Sequence, residues 1–144
     1  MNFKLREIVY EDYPKLLEWV NDSDTRLNSI NQDIVTLDEH KDYIKSIIDN
    51  PLKTQYILDI DGDAIGTIKE SVSEDHTEVS YSLNPDFRGK RLGILIMQLY
   101  LYNRKGNFLC VIKKGNIPSI KMVERVGYKL TKERTNLGYY TLNR

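Results

Sequence analysis

The most informative segment of this sequence reads Asn84-Pro85-Asp86-Phe87-Arg88-Gly89-Lys90-Arg91-Leu92-Gly93. It follows a predicted strand, and the apolar run at residues 94–101 predicts that a helix comes next. Two glycines and three cations at such a junction favour a bound anion, because amide groups and the dipole at a helix start attract negative charge. The spacing fits neither a Walker loop nor the dinucleotide-binding fingerprint. The segment therefore predicts a pyrophosphate site, with a glycine-rich turn carrying solvated cations as the alternative.

On either side of this segment, apolar periodicity and turn signals predict a mixed series of elements. The predicted strands cover residues 3–9, 55–60, 64–69, 77–83, 108–112, 128–134 and 139–142, and the predicted helices cover residues 11–20, 36–50, 94–101 and 117–126. Asp61-Gly62-Asp63 predicts a tight turn, because Asp-Gly supplies positive φ angles. Asn136-Leu137-Gly138 predicts the turn between the last two strands. An antiparallel meander is thus expected before the central segment, and shorter alternating elements after it.

Length and composition predict a single domain over residues 1–144. Hydrophobic residues make up 40% of the chain, which suffices for a sizeable core. The one cysteine, Cys110, excludes a disulfide scaffold and a zinc site built on cysteines, and its apolar surroundings predict a core position. No run approaches the roughly 20 apolar residues that cross a bilayer. We therefore expect a cytoplasmic protein without a membrane segment and without a metal.

The charges of this chain are distributed unevenly, although 21 basic and 21 acidic residues give a formal net charge of zero. Residues 1–84 hold 8 basic and 18 acidic side chains, a net charge of −10. Residues 85–144 hold 13 basic and 3 acidic side chains, a net charge of +10. The acidic half would repel phosphates, so a nucleic-acid partner is not expected even though the other half is basic.

A second motif follows at residues 116–128, reading Asn116-Ile117-Pro118-Ser119-Ile120-Lys121-Met122-Val123-Glu124-Arg125-Val126-Gly127-Tyr128. Together with the segment at residues 84–93, it resembles the GNAT superfamily of acyl-CoA-dependent N-acetyltransferases. The first motif is similar to the loop [Gln/Arg]-x-x-Gly-x-[Gly/Ala], and the second is similar to an Asn-x-x-[Ala/Ser] helix that ends in Gly-Phe/Tyr. Residues 19–43 resemble the substrate lid of a branch that acetylates nucleotide-linked amino sugars and the N-termini of ribosomal proteins.

The resemblance implies an α/β (α+β) fold with a mixed, mostly antiparallel sheet of about six to seven strands. The sheet would splay near its middle, and about four helices would cover both faces. Acetyl-CoA would be the co-substrate, with its pyrophosphate on the loop amides and its pantetheine arm along the strand at residues 78–83. The implied cofactor-binding residues are Tyr81, Ser82, Leu83, Arg88, Gly89, Lys90, Arg91, Leu92, Gly93, Asn116 and Ser119.

The chain departs from the family pattern at two positions. Arg91 stands where the loop has its internal glycine; if the position is helical this costs little, and the extra cation is expected to reach a CoA phosphate. Val123 stands where many members place the tyrosine that protonates the departing thiolate. The resemblance therefore assigns no general acid, and Tyr128, Tyr139, Tyr140 and water remain open.

An ammonium substrate must lose a proton before its nitrogen attacks the thioester. Glu78, on the polar face of the cofactor strand, is our candidate for the base, and a solvated strand glutamate is the alternative. Arg26, Ser29 and His40 are the candidate substrate residues of the lid, with a surface cation and a packed core histidine as the alternatives for Arg26 and His40.

The expected function is direct transfer of acetyl to a primary amine of a small molecule, with an amino-sugar nucleotide favoured. A CoA-binding sensor without catalysis and a protein N-terminal acetyltransferase are the alternatives, and a homodimer is expected from the family.

Overall fold

A single sheet of seven strands forms within residues 2–144, the part of the chain that the computed structural model describes. Met1, the first residue of the predicted domain, lies outside the described residues. The strands are β1 (Phe3–Glu7), β2 (Lys53–Ile60), β3 (Asp63–Val72), β4 (Thr77–Leu83), β5 (Asn107–Lys113), β6 (Lys129–Arg134) and β7 (Leu137–Asn143). Their order in the sheet is β1-β2-β3-β4-β5-β7-β6, and every pair except β4–β5 is antiparallel.

Five α-helices accompany the sheet in the described part of the chain. They are α1 (Tyr13–Val20), α2 (Ser23–Leu27), α3 (Leu37–Ile48), α4 (Leu92–Leu101) and α5 (Ile117–Val126). The side chain of Thr36 caps α3 by accepting a hydrogen bond from the amide of Glu39, as the capping-box spacing predicts. Single 3₁₀ turns at Tyr10–Asp12 and Pro85–Phe87 lead into α1 and into the loop before α4.

The helices cover both faces of the sheet. Ile57 and Leu58 are neighbours on β2, so their side chains point to opposite faces. Ile57 belongs to a core cluster with side chains of α1 and α3, whereas Leu58 belongs to the larger cluster with side chains of α4 and α5. We call the first of these faces the lid face and the second the α4/α5 face.

The parallel pair β4–β5 is short, and the sheet therefore has a split between these two strands. Only Thr77 and Glu78 of β4 pair with β5, opposite Phe108 and Leu109. Beyond this point the two strands part while each keeps its outer partner, β3 or β7. The predicted splay near the middle of the sheet is thereby confirmed, and the fold class with it.

Most element bounds agree with the predicted ones, and two differences have local causes. The five-residue helix α2 was not predicted, since it is too short to show an apolar period; the carboxylate of Asp22 caps it. The predicted last turn at residues 136–138 is misplaced by two residues, because Leu137 and Gly138 already pair with β5 and β6.

The start of α1 is tied to the sheet by a partly buried ion cluster. Arg6 on β1 donates two hydrogen bonds to the carboxylate of Asp12 and one to Asp59 on β2, each at 2.9 Å. Burial acts to raise the pKa of Asp12, but these bonds and the amide of Val9 outweigh it, so the pKa lies below its ordinary value. Asp12 is therefore ionised in the folded protein at neutral pH.

Candidate active site

The split between β4 and β5 is the candidate site. Beyond Glu78, the main-chain groups of β4 that face β5 have no strand partner in the described part of the chain. Tyr81, Ser82 and Leu83 are half-buried on this unpaired part of the strand. An extended ligand with amide groups can hydrogen-bond there as an added strand would.

The loop after β4 presents the start of α4 to the same split. Gly89 has a φ of +78°, and Arg91, directly before α4, has a φ of +59° in the left-handed region. The condition for a low cost at Arg91, a helical backbone, is not met, since its conformation is the one for which glycine is favoured. Within residues 2–144 no side chain caps the amides at the start of α4. These amides and the exposed cations Lys90 and Arg91 make a site suited to an anion.

Arg88, the first residue of the predicted loop, has its side chain turned towards α2 instead. Its guanidinium donates a 2.6 Å hydrogen bond to Asp22 and a 3.2 Å hydrogen bond to the hydroxyl of Thr25, and it lies 3.5 Å from Asp24. The bond from Arg88 is the main cause that lowers the pKa of Asp22. The side chain of Arg88 thus joins residues 88–93, which we call the anion loop, to α2, and its amide donates a 3.4 Å hydrogen bond to the carbonyl of Pro85.

The segment from residue 21 to residue 36, which contains α2, crosses the split on the lid face; we call it the lid segment. Arg88, which follows β4, binds the start of α2 through Asp22 and Thr25. Lys113, the last residue of β5, binds the end of α2, because its ammonium donates a 3.0 Å hydrogen bond to the carbonyl of Leu27. The lid segment therefore bridges the carboxyl ends of the two strands that part.

The predicted substrate residues Arg26 and Ser29 both lie in the lid segment, where they bind other parts of it. Arg26 donates hydrogen bonds to the carbonyls of Val20, Asn31 and Asp33 and to the hydroxyl of Ser29. Asn21 closes the segment at its base through two 2.8 Å bonds with the backbone of Val35. These contacts give Arg26 and Ser29 a part in shaping the lid; a contact with substrate stays a prediction.

His40 is buried between α3 and α1, with 4% of its surface exposed. Its Nε2 atom has no hydrogen-bond partner within residues 2–144. Burial is the main cause that lowers the pKa of His40, so the ring is neutral. This placement corresponds to the packed core histidine that was weighed as the alternative, and a direct contact with substrate remains untested.

Glu78 lies at the fork itself, as the last residue of β4 that pairs with β5. Its neighbour Val79 is buried in the α4/α5 core cluster, so the exposed carboxylate of Glu78 points to the lid face. Ser80 and Ser82 follow on that face. The structure thus brings Glu78 to the same side of the sheet as the lid segment.

On the α4/α5 face, the side chain of Tyr81 reaches from β4 towards the elements on the other side of the split. A Cβ atom on Gly93, in the first turn of α4, would lie 3.2 Å from the Tyr81 ring. The close approach of this ring to the helix therefore favours glycine at position 93. Burial raises the pKa of Tyr81, and the hydroxyl of Ser119 on α5 opposes this shift. Asn116 caps α5 through the amide of Ser119. The resemblance implied only main-chain contacts for Tyr81; the alternation of β4 was the signal that could have placed its phenol here.

Val123 is fully buried in the same cluster, so α5 contributes an apolar side chain at the position where many family members have a tyrosine. Cys110 is likewise buried, as predicted, and burial raises the pKa of its thiol to about 12. The Cys110 thiol is therefore protonated, which agrees with a place in the core.

An open groove of about 460 Å³ lies beside the split, where α1 leads into the lid segment. Its lining residues are Lys15, Glu18, Trp19, Asp63, Ala64, Asn84, Asp86 and Phe87. Three of these are carboxylates and one is a cation, so the groove adds negative charge next to the lid segment.

Residues 2–144 contain no group of three or more His, Cys, Asp or Glu side chains placed to hold a metal ion. None of their helices combines the length and the apolar character that crossing a bilayer requires.

Several solved structures share this architecture. Aminoglycoside acetyltransferase AAC(6')-Ib in complex with coenzyme A superposes with a TM-score of 0.83 at 21% identity, over 99% of this chain and 95% of that one. Spermidine N-acetyltransferase from Vibrio cholerae with CoA and spermine gives 0.86 at 12% identity, over 98% and 95%. An acetyltransferase from Thermus thermophilus gives 0.86 at 14% identity, over 100% and 98%. At these identities the similarity establishes the fold alone.

Comparison at the level of sequence gives the family. No curated protein matches the chain. The Acetyltransferase (GNAT) domain family matches residues 2–129, which is most of the chain and includes the loop before α4 as well as α5. This match confirms the predicted class of enzyme, with acetyl-CoA as its acetyl donor, and it leaves the predicted amino-sugar and ribosomal branch unconfirmed. Because the match covers well over half of its residues, the chain belongs to the GNAT acetyltransferases.

Proposed function

We propose that this protein transfers the acetyl group of acetyl-CoA directly to the primary amine of a small, positively charged molecule. The observation that carries the proposal is the parting of β4 and β5 directly after the pair Glu78–Leu109. It leaves an unpaired strand edge for the donor, with a carboxylate at the fork on the face where the lid segment lies.

The donor side of the proposal uses the residues that the sequence predicted. The amides of residues 88–93 and the cations Lys90 and Arg91 would hold the pyrophosphate. The main-chain groups of residues 81–83 would pair with the pantetheine arm, with Asn116 and Ser119 at the start of α5 beside it. The guanidinium of Arg88 is bound to Asp22, so we assign this side chain to holding the lid segment and not to binding the pyrophosphate.

On the acceptor side, Glu78 would take a proton from the ammonium group of the amine, directly or through water. The free nitrogen lone pair then attacks the carbonyl carbon of the thioester, and a C–N bond forms. As the C–S bond breaks, its electron pair leaves with the sulfur, which needs a proton to depart as a thiol. Acetylated amine and CoA are the products.

The charge distribution favours a cationic acceptor. The lid segment and Glu78 belong to the half of the chain with a net charge of −10, and so do six of the eight residues that line the groove beside α1. Three of the solved neighbours were crystallised with amines, namely ribostamycin, kanamycin and spermine. An amino-sugar nucleotide carries phosphates that this half would repel, so we expect it to be a poorer acceptor than an aminoglycoside or a polyamine. Peptides with a free N-terminus should be tested as acceptors together with these amines.

The test combines binding with turnover. We expect calorimetric titration to show that CoA and acetyl-CoA bind, and we expect thiol release from acetyl-CoA to depend on a cationic amine. Glu78→Gln should lower kcat/KM at neutral pH by about 100-fold or more, the usual effect of losing a general base. The loss should shrink at high pH, where the amine is already deprotonated.

Glu74→Gln is the matched control, because Glu74 is an exposed glutamate in the turn before β4 and should leave turnover unchanged. If acetyl-CoA does not bind at millimolar concentration, the proposal is wrong. Tight binding without turnover on any amine would point to a CoA-binding sensor, the alternative raised by Val123.

A further inference from the structure

The departing thiolate needs a proton, and α5 does not supply one. Val123 is fully buried and carries no ionisable group. Thiols and phenols have pKa values of about 8.5 and 10, so a phenol next to the sulfur would be protonated and able to donate. The question is which tyrosine of the chain reaches the split.

Two tyrosines of the core are committed elsewhere. Tyr128 is buried, and its hydroxyl contacts the sulfur of Met97 at 3.7 Å. The hydroxyl of Tyr100 donates a 2.6 Å hydrogen bond to Glu70 on β3, away from β5. Both hydroxyls therefore have partners within the core.

Tyr81 has the placement that these two lack. It lies on β4 three residues beyond the last pair with β5, so the strand edge next to it is open. Its ring packs on Gly93 in the first turn of α4. Its hydroxyl would lie 3.6 Å from a Cβ atom on Gly93, and both Ser119 on α5 and Cys110 on β5 influence its pKa. The phenol thus extends from one side of the split to groups on the other.

The ionisation of Tyr81 agrees with a donor. Burial is the main cause that raises its pKa, and the nearby Cys110 adds to it. The phenol is therefore protonated at neutral pH and carries one proton that it can donate.

Resting on the proposed function, we propose that the hydroxyl of Tyr81 donates its hydrogen bond, and then its proton, to the sulfur of CoA as the C–S bond breaks. The electron pair of that bond stays on the sulfur and takes up the phenolic proton, which leaves a thiol and a phenolate. The proton that Glu78 removed from the ammonium group, passing through solvent, restores the phenol. No further reactant is needed. Tyr81 is then the catalytic acid of the site.

The test uses CoA itself, without any turnover. In the complex with CoA, a hydrogen bond from Tyr81 stabilises the thiolate and lowers the pKa of the bound thiol. Titrating the ultraviolet absorbance of the thiolate, corrected for tyrosinate, should give a thiol pKa that is about one unit higher in Tyr81→Phe than in the unaltered protein, the size expected for a charge-assisted hydrogen bond. Calorimetry should show that both proteins bind CoA with similar affinity.

Turnover gives a second readout. Tyr81→Phe should lower kcat by about 10-fold to 100-fold and leave KM for acetyl-CoA close to that of the unaltered protein. Tyr128→Phe is the matched control, a second buried tyrosine next to the same cluster, and should leave the thiol pKa and kcat unchanged. An unchanged thiol pKa in Tyr81→Phe, or the shift appearing in Tyr128→Phe instead, overturns the role of Tyr81 while CoA binding and acetyl transfer stand. If the unaltered protein does not bind CoA, the proposed function fails together with this role.

Discussion

Arg91 shows how one residue serves the loop at a conformational cost. Its backbone, with φ +59° and ψ +24°, lies in the left-handed region, where a residue with a Cβ atom is disfavoured by about 1–2 kcal/mol. Its side chain is exposed beside the uncapped start of α4. A strained residue that keeps a cation at this point is consistent with a site for a phosphate.

Replacing Arg91 with glycine should therefore separate stability from binding. We expect Arg91→Gly to melt within a few degrees of the unaltered protein, because relief of the left-handed conformation offsets the entropy that glycine loses on folding. The same change should weaken CoA binding several-fold, since a cation is lost. Calorimetric titration and thermal melting measure both.

Arg91→Lys, which keeps the charge and the strain, is the control and should retain most of the affinity. Equal CoA affinity in all three proteins would show that this cation does not reach a phosphate.

At the scale of elements, α2 depends on contacts from outside itself. A five-residue helix is too short to be stable alone, and Asp22 both caps it and accepts a hydrogen bond from Arg88. The same carboxylate thus fixes the helix and joins the lid segment to the loop that leads into α4. Loss of Asp22 should loosen the lid segment without disturbing the core.

We expect Asp22→Ala to raise KM for the amine several-fold and to make the lid segment more sensitive to limited proteolysis. A lost N-cap costs about 0.5–2 kcal/mol, enough to unfold a short helix locally. CoA affinity should stay the same or increase, because the guanidinium of Arg88 is released next to the anion loop.

Asp24→Ala is the matched control: Asp24 is more exposed and lies 3.5 Å from Arg88, so its loss should have little effect. A fall in CoA affinity equal to the rise in KM for the amine would contradict this assignment.

For the whole molecule, the change of charge along the chain coincides with the split. The acidic half ends at residue 84 and contains β1 to β4, the lid segment and Glu78. The basic half contains the anion loop, β5 to β7 and both helices of the α4/α5 face. The neutral sum therefore conceals two fields of opposite sign, one on the side proposed for a cationic amine and one on the side proposed for the polyanion CoA.

The stability of the whole fold should depend on pH through Asp12. Because its pKa is lowered in the folded state, ionised Asp12 stabilises the fold above the ordinary pKa of about 4, and this contribution disappears as the pH falls through the lowered value. Asp12→Asn should lower the free energy of unfolding at pH 7 by about 2 kcal/mol, through the lost bonds to Arg6.

Denaturant unfolding at pH 7 and near pH 3 checks this prediction. The difference in the free energy of unfolding between Asp12→Asn and the unaltered protein should be smaller at the lower pH. Glu11→Gln, a change of the adjacent exposed carboxylate, should have no such effect. If the difference in the free energy of unfolding is the same at both pH values, the ionised pair of Asp12 and Arg6 is not the cause of that difference.

The secondary-structure elements and the residue types proposed for the site follow from local patterns in the sequence. Helix α5 and strand β4 have the predicted bounds, because an apolar period of 3.6 or 2 and the flanking caps and turns are local properties of the chain. The two motifs, Glu78 and the boundary of charge could likewise be read from residue types and their spacing.

How these parts meet depends on contacts between residues that are distant in the sequence. The tertiary structure showed that β4 leaves β5 directly after Glu78, that the side chain of Arg88 binds Asp22 instead of facing the anion loop, and that His40 is buried. It also brought the phenol of Tyr81 to the split. These features join residues that are far apart in the chain, such as Arg88 and Asp22, 66 positions apart, and no local period or motif specifies such contacts. They arise when the two halves of the sheet are packed by helices on both faces, and the chemistry of the site depends on that packing.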